Sequence, residues 1–486
     1  MTPDATLGAA LATPLIGAGL IAAFGRAPNL RETATLVTAA VLFLLVASVT
    51  PAVLAGERPA LTLLEMMPGL ALRFEVEPLG MLFALVASGL WIVNSIYSIG
   101  YMRANREAHQ TRFYVCFAVA LAAVIGIAFA GNLLTLFLFY EALTLVTYPL
   151  VTHAGTDEAR RAGRLYLGLL VGTSIVFLLV AIVWTFELTG TVDFRAGGLF
   201  SEETGRTTLG LLLALYVFGI GKAAVMPVHR WLPAAMVAPT PVSALLHAVA
   251  VVKAGVFCVV KVVVYVLGVD TLATLGAATW LPFVAGFTIL AASIVALRSD
   301  NLKRRLAYST VSQLSYVVLA AALLTPLSVM GAALHLAAHA VSKITLFFAA
   351  GAIYTAAHKT EVSQLAGIGR AMPVTMTAFA IGALSLIGIP PTVGFMSKWL
   401  IVQGAVDAEH YVALGVIALS TLLNAAYFLP IVYSAFFRAS ADDGHAPHHG
   451  EAPWPMVTAL AITAALTIAL FFLADAPLKL AGALAS

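Results

Sequence analysis

The sequence predicts an all-α polytopic membrane protein, a single membrane domain over residues 1–486 with about fourteen transmembrane helices. Three observations carry that expectation. First, 61% of the 486 residues are hydrophobic and 10% are charged, with a mean hydropathy of +0.99. A soluble domain is roughly a quarter charged. So few charges cannot solvate the surface of the several domains that a soluble chain of this length would form. Second, the apolar character runs from residue 7 to residue 484, which excludes a single-pass protein. Third, the apolar runs are long and continuous, whereas a membrane barrel alternates in segments of about 10 residues.

A spanning helix needs about 20 mostly apolar residues. Fourteen runs qualify: 7–24, 34–54, 78–99, 113–130, 132–151, 165–187, 208–228, 241–266, 272–297, 304–324, 328–356, 375–404, 411–437 and 456–473. The first follows a stretch, Met1 to Thr6, that carries Asp4 and no basic cluster. Lacking a signal-peptide n-region, it is expected to stay as a helix. The loops are short and leave no room for an extramembrane domain. The longest polar stretch, Arg438 to Pro455, holds His445, His448 and His449 and reads as a solvated loop in which nothing orders the imidazoles around a metal. Sixteen of the 26 basic residues fall in odd-numbered loops, and five (Arg58, Arg73, Arg195, Arg206 and Lys479) fall in even loops and tails. The positive-inside rule then places the odd loops in the cytoplasm and both termini outside the cell (inner) membrane.

The other five basic residues are lysines within apolar runs: Lys222, Lys253, Lys261, Lys343 and Lys398. Among the acids, Glu141 lies well inside a span. Each such residue costs roughly 2.5–3.5 kcal/mol at mid-membrane, so it faces the bundle interior or a wet cavity and marks an ion or proton pathway. Glu141 sits in the middle of the fifth run, in Leu136-Phe-Leu-Phe-Tyr-Glu-Ala-Leu-Thr144, and is expected to pair with Lys222. Lys222 lies in Gly219-Ile-Gly-Lys-Ala-Ala-Val-Met-Pro227, where the glycines and the proline loosen the helix. Broken membrane helices expose backbone groups only where protein or water satisfies them, so a lysine there is a transport candidate.

The eighth run opens with Pro239-Thr-Pro-Val-Ser-Ala-Leu-Leu-His247 and reaches Lys253. Residues at that separation point roughly 120° apart and cannot share one narrow stripe. Lys253 is central and reads as a relay site. Lys261, two turns nearer the outer surface, reads as an interfacial anchor that snorkels. In the eleventh run His335, His339 and Lys343 are spaced by four, which sets them on one stripe about 12 Å long. No glutamate base accompanies the two histidines, and a nearby lysine disfavours a cation. A proton wire therefore fits better than a zinc site. In the twelfth run Pro390 and Pro391, between Gly388 and Gly394, should break the helix at mid-depth with Lys398 just past the break.

Helices seven and twelve, both broken beside a lysine, stand an odd number of spans apart and so run in opposite directions. That predicts two inverted five-helix repeats, 113–266 (helices four to eight) and 272–437 (helices nine to thirteen), with 1–112 and 438–486 as flanking helices. Cys116 and Cys258 lie in apolar runs and read as packing residues; two thiols cannot hold an iron–sulfur cluster. A net charge of +3 is too small to suggest nucleic acid. No nucleotide or cofactor motif is visible, since Gly219-Ile-Gly-Lys222 is followed by alanine, and neither a cofactor nor a resident metal is expected.

Three stretches resemble the antiporter-like proton-translocating subunits of Mrp-type cation/proton antiporters and of respiratory complex I (NADH:quinone oxidoreductase). They are Met226-Pro-Val-His-Arg-Trp-Leu-Pro-Ala-Ala-Met236 with Pro239-Thr-Pro-Val-Ser-Ala-Leu-Leu-His-Ala248; Arg305-Leu-Ala-Tyr-Ser-Thr-Val-Ser-Gln-Leu-Ser-Tyr316; and His335-Leu-Ala-Ala-His-Ala-Val-Ser-Lys343. Val249-Ala-Val-Val-Lys-Ala-Gly255 looks most like the D-type member of the Mrp antiporters, and Gly388-Ile-Pro-Pro-Thr-Val-Gly-Phe395 like the complex I type. Ser315 stands where the family usually has glycine. The resemblance implies fourteen core helices, the two inverted repeats and a hydrated polar axis along the membrane midplane. It matches Glu141 to the family's helix-five glutamate, Lys222 to its helix-seven lysine and Lys253 to its central helix-eight lysine. His335 and His339 match the helix-eleven histidines, and Lys398 the terminal residue of helix twelve.

Together these readings lead to a proton-translocating subunit of a multisubunit monovalent cation (Na+)/H+ antiporter, working through Glu141, Lys222, Lys253, His335, His339, Lys343 and Lys398. Two alternatives stay open: a proton-pumping membrane subunit of a complex I-type NADH:quinone oxidoreductase or related hydrogenase, and a coupling subunit of an inorganic-carbon uptake complex. The expected partners are other membrane subunits, protons, Na+ and the lipid bilayer.

Overall fold

The computed structural model describes residues 2–67, 69–439 and 450–484. His445, His448 and His449 lie outside the described residues. The order of elements is α1 (Pro3–Ala23), α2 (Pro28–Leu54), β1 (Ala60–Met67), β2 (Leu70–Glu75), α3 (Pro78–Ala104), α4 (Gln110–Ala128), α5 (Leu133–Val151), α6 (Asp157–Thr189), α7 (Arg206–Gly219), α8 (Thr240–Leu267), α9 (Leu281–Arg298), α10 (Leu302–Ala322), α11 (Pro326–Ala357), α12a (Pro373–Ile387), α12b (Val393–Asp407), α13 (Tyr411–Phe437) and α14 (Trp454–Phe472). Eleven of these are long and apolar enough to cross a membrane. The remaining three expected crossings are α7, cut short at its break, α12, split in two, and α10, whose first turn carries Lys303, Arg304 and Arg305. The ninth run starts later than its hydropathy suggests, because Gly276 adopts a left-handed conformation (φ 61°) and ends a short helix, Val269–Leu275, ahead of α9.

Local chemistry sets the helix starts. Proline occupies the first turn of α1, α2, α3, α9, α11, α12a and α14, where its missing N–H is no loss. Side-chain caps take the free amides elsewhere: Asn132 accepts from Thr135 (2.8 Å), Thr156 from Ala159 (3.1 Å) and Asn301 from Arg304 (3.0 Å). Thr325 and Ser328 form a reciprocal box at the start of α11.

The most apolar windows of α8 and α11 are 100% buried, while those of α2 and α14 are 33% buried. α8 and α11 are thus the central axis, and α11 packs against α3, α8, α10, α12a, α12b and α14. The lysines of α8 and the histidines of α11 have no surface to reach.

The second loop differs from expectation. It folds as an antiparallel hairpin, β1 against β2, pairing Ala60 with Glu75 and Leu61 with Phe74. The hairpin is stitched to the turn before α5, where Glu75 donates to the Phe129 carbonyl (2.7 Å) and Gly131 to that of Arg73 (2.9 Å). Two odd-loop arginines are also more buried than loops imply. Arg31 packs with Glu32, which Arg103 also contacts, and Arg305 donates to the carbonyls of Ser299 (2.8 Å) and Tyr427 (3.0 Å).

Candidate functional site

The first break begins where α7 ends at Gly219. One tight turn, Gly221–Ala223, carries Lys222, and Ala224 follows in a left-handed conformation (φ 56°). Freed backbone groups find partners, as membrane burial demands. Trp231 Nε1 donates to the Gly221 carbonyl (3.0 Å), and the Lys222 amide donates to Tyr140 Oη (3.1 Å). Gly255 of α8 lets the two segments touch, since a Cβ there would strike the backbone of Lys222 and Ala223. The Lys222 ammonium donates to the Tyr140 carbonyl (2.8 Å) and to Thr144 Oγ1 (2.5 Å), and lies 3.1 Å from the Tyr140 ring centre.

The expected Glu141–Lys222 ion pair is not formed. The lysine grips the residues on either side of Glu141 on α5, while Glu141 Oε1 is buried without a hydrogen-bond partner. Glu141 directly follows Tyr140, whose carbonyl holds the lysine, so the two side chains share one neighbourhood without a bond. An α-helix turns about 100° per residue, so Tyr140 and Thr144 share a face that Glu141 does not.

At the second break α12a stops at Gly388, which is left-handed (φ 93°), and α12b starts after Pro390-Pro391-Thr392. The Lys398 ammonium turns back to the carbonyls of Leu386 (2.7 Å) and Ile387 (3.0 Å), the last of α12a. A cation at the C-terminal end of a helix meets orphan acceptors and the negative end of the helix dipole.

Between the breaks runs a chain of polar side chains. Lys253 Nζ lies 2.5 Å from His339 Nδ1. The rings of His339 and His335 are 6.1 Å apart. His335 shares a hydrogen bond with Ser397 Oγ (2.9 Å) and donates from Nε2 to Gln313 Oε1 (3.1 Å). Gln313 in turn donates to the Leu386 carbonyl (3.4 Å), which also receives Lys398. Lys253, His339, His335 and Lys398 are all buried. Lys343, on the same helix as the histidines, leaves the line and donates to Ser309 Oγ of α10 (2.6 Å).

Lys261 does not snorkel. It is fully buried and paired with Glu77 Oε1 at 3.0 Å. Sequence reasoning also passed over Gln313, Ser397, Tyr140 and Thr144. Gln313 and Ser397 lie in stretches already singled out, but nothing in spacing tells which hydroxyl or amide faces a histidine. His247 has both ring nitrogens buried without a hydrogen-bond partner and packs on Phe347 at 4.7 Å. On the odd-loop side a cavity of about 300 Å³ beneath the start of α8 is bordered by Tyr101, Glu107, Thr240, Lys303 and Tyr354. Burial pushes the carboxyl of Glu107, in the loop after α3, above its usual range, and Lys303 opposes that shift.

Residues 130–424 match the family described as NADH:quinone oxidoreductase/Mrp antiporter, TM. The NADH-quinone oxidoreductase subunit N of Desulforudis audaxviator is 33% identical over 387 residues, which cover 78% of this chain and 75% of that protein. The probable A/B subunit of a K(+)/H(+) antiporter of Rhizobium meliloti is 29% identical over 396 residues, covering 79% of this chain and 39% of that protein. A chain in the structure of the Mrp complex from a Dietzia species superposes with a TM-score of 0.86 at 22% identity, covering 100% of this chain and 97% of that one.

Proposed function

The chain belongs to the NADH:quinone oxidoreductase/Mrp antiporter transmembrane family, and on that premise we propose that it is the proton-translocating subunit of a multisubunit monovalent cation (Na+)/H+ antiporter. The observation that carries this is the buried line from Lys253 through His339, His335 and Gln313 to Lys398. Taking an ammonium out of water disfavours its charged form, so a dry lysine can accept and release a proton. Imidazole can take a proton on one nitrogen and give one up from the other. Protons enter toward Lys222 and Lys253 and leave through Lys398 to the opposite side. Glu141, near Lys222 but not bonded to it, biases loading at Lys222 by its charge, and Lys343 is a side branch toward α10.

In this reading residues 113–266 and 272–437 are inverted repeats, supported by a lysine-bearing break in each. The odd loops face the cytoplasm and the termini lie outside, supported by the distribution of arginine and lysine. Its partners are other membrane subunits. The membrane arm of a quinone oxidoreductase is the second reading, favoured by the likeness to a subunit N.

The test is fluorescence dequenching in inverted vesicles carrying the whole complex. Glu141→Ala and Lys222→Ala are each expected to abolish cation-driven proton movement while the complex still assembles. A wild-type signal in Lys222→Ala would sink the reading. Co-purifying flavin or iron–sulfur subunits would decide for the second assembly, and only small membrane subunits for the first.

A further inference from the structure

Among the five spanning lysines, Lys261 differs in its counter-group. Lys222, Lys343 and Lys398 donate to carbonyls and hydroxyls and Lys253 meets an imidazole, whereas Lys261 meets a carboxylate. Lys261 Nζ also donates to the Ala130 carbonyl (2.8 Å) and stands over the Phe194 ring at 4.5 Å. Glu77 Oε1 caps Gly80 (3.0 Å), while Oε2 accepts from Leu79 (2.7 Å) and from Tyr265 Oη (3.2 Å). Both partners are buried. A buried ion pair is a weak way to gain stability, because apolar side chains of similar volume do as well.

The pair lies between the first break and the hairpin. On the side of the first break, Gly255, earlier on α8, touches the backbone of Lys222. On the hairpin side, Ala130, whose carbonyl accepts from Lys261, lies between Phe129 and Gly131, which bond to Glu75 and Arg73. Glu75, two residues from Glu77, is part-exposed and pairs with Arg73 (2.7 Å), which also reaches Asp193 (3.2 Å). Arg73 and Asp193 border an open groove of about 380 Å³ along the hairpin.

We infer that Glu77 and Lys261 form a proton-entry station on the hairpin side of the first half, feeding protons from the groove beside Arg73 and Asp193 toward the Lys222 region. This rests on the proposed proton-translocating function. In the step, an N–H bond of the Lys261 ammonium breaks, its electron pair stays on nitrogen and the proton leaves toward Lys222. An O–H bond of hydronium in the groove breaks and that proton bonds to Glu77, which leaves water, a neutral acid and a neutral amine. The acid passes its proton from oxygen to the Lys261 amine, which restores carboxylate and ammonium. No electron is transferred.

Arginine separates this role from that of a brace, since it keeps the ion pair but does not give up its proton. In inverted vesicles carrying the whole complex, Lys261→Arg is expected to assemble normally and to lose at least tenfold in transport rate. The double variant Glu77→Gln with Lys261→Met keeps one amide oxygen for the cap on α3 and buries no unpaired charge. It is expected to lose transport as well. Wild-type transport in either assembled variant overturns the station. If Lys261→Arg does not assemble, the double variant decides alone; if neither assembles, the pair is a brace and the proposal fails. Lys222→Ala in the same vesicles keeps the two ideas apart. If it loses transport while Lys261→Arg keeps it, the station alone is refuted.

Discussion

At the first break Lys222 reaches out of its own helix to Tyr140 and Thr144 on α5, whereas at the second Lys398 folds back onto the stump of α12a. The backbone around Lys222 is tied down by other groups, the indole of Trp231 and the hydroxyl of Tyr140. Its ammonium is therefore not needed to cap its own break. Lys398 has no such relief, because its ammonium is itself the cap on the Leu386 and Ile387 carbonyls. A proton lost from Lys222 weakens its grip on a neighbouring helix, while a proton lost from Lys398 weakens its own helix end. The first break can thus signal sideways to α5 and Glu141, and the second couples charge to the geometry of its own hinge.

The largest effect should come from filling the space that lets the first break form. Gly255→Ala places a methyl against the backbone of Lys222 and Ala223, and backbone cannot rotate away as a side chain can. Overpacking of this kind costs about 3 kcal/mol at the upper end of its range. Thermal unfolding of the detergent-solubilised complex should show the loss. Gly415→Ala, where nothing lies within 4 Å, is the matched control and should hold or slightly raise Tm. Equal Tm values for the two variants would mean that the first break does not depend on its contact with α8.

A smaller effect separates the two lysines. Lys398→Ala leaves the Ile387 carbonyl without a donor and the Leu386 carbonyl with only the long bond from Gln313, and it removes a cation from the negative end of α12a, costing about 1–2 kcal/mol. In Lys222→Ala, the Tyr140 carbonyl keeps the Thr144 hydroxyl at 3.2 Å, so less is orphaned. Both variants should lose transport, but only Lys398→Ala should also lower Tm measurably. The reverse ranking in the same melts would dissolve the contrast between the breaks.

How much of this was legible from the chain depended on range. Hydropathy located the spans, and the glycines and prolines at 219–227 and 388–394 located both breaks, because those signals are local. Exclusion from the loops singled out the lysines. Their partners were another matter. Glu77 drew no notice in the sequence; it caps α3 from just before Pro78, and its pairing with Lys261 joins distant parts of the chain and leaves no trace in spacing. Glu141 was expected on Lys222 because opposite charges attract, yet the one-residue offset from Tyr140 aims it elsewhere. The hairpin at 60–75 was hidden because its alternation is broken by Leu63-Leu64 and Met66-Met67 and by register shifts in its pairing.

The smallest prediction sharpens the comparison at the backbone. Each break needs a residue with positive φ; the second uses Gly388 (φ 93°), but the first uses Ala224 (φ 56°). An alanine in the left-handed region pays roughly 1–2 kcal/mol relative to glycine. Ala224→Gly removes that strain. It also loses the burial of a methyl, about 0.8 kcal/mol, since Ala224 is fully buried. The unfolded chain gains freedom worth about 0.4–1 kcal/mol against folding. These contributions nearly cancel, so the net change should stay within about 1 kcal/mol, a Tm shift barely above error, with transport intact. Gly388→Ala, by contrast, creates strain and brings its Cβ to 2.9 Å from Lys398 Cδ, so it should destabilise. If Ala224→Gly instead proves as damaging as Gly388→Ala, the Ala224 methyl is a packing element of the first break. That break would then depend on its own side chains as the second does, rather than on the neighbours that hold it.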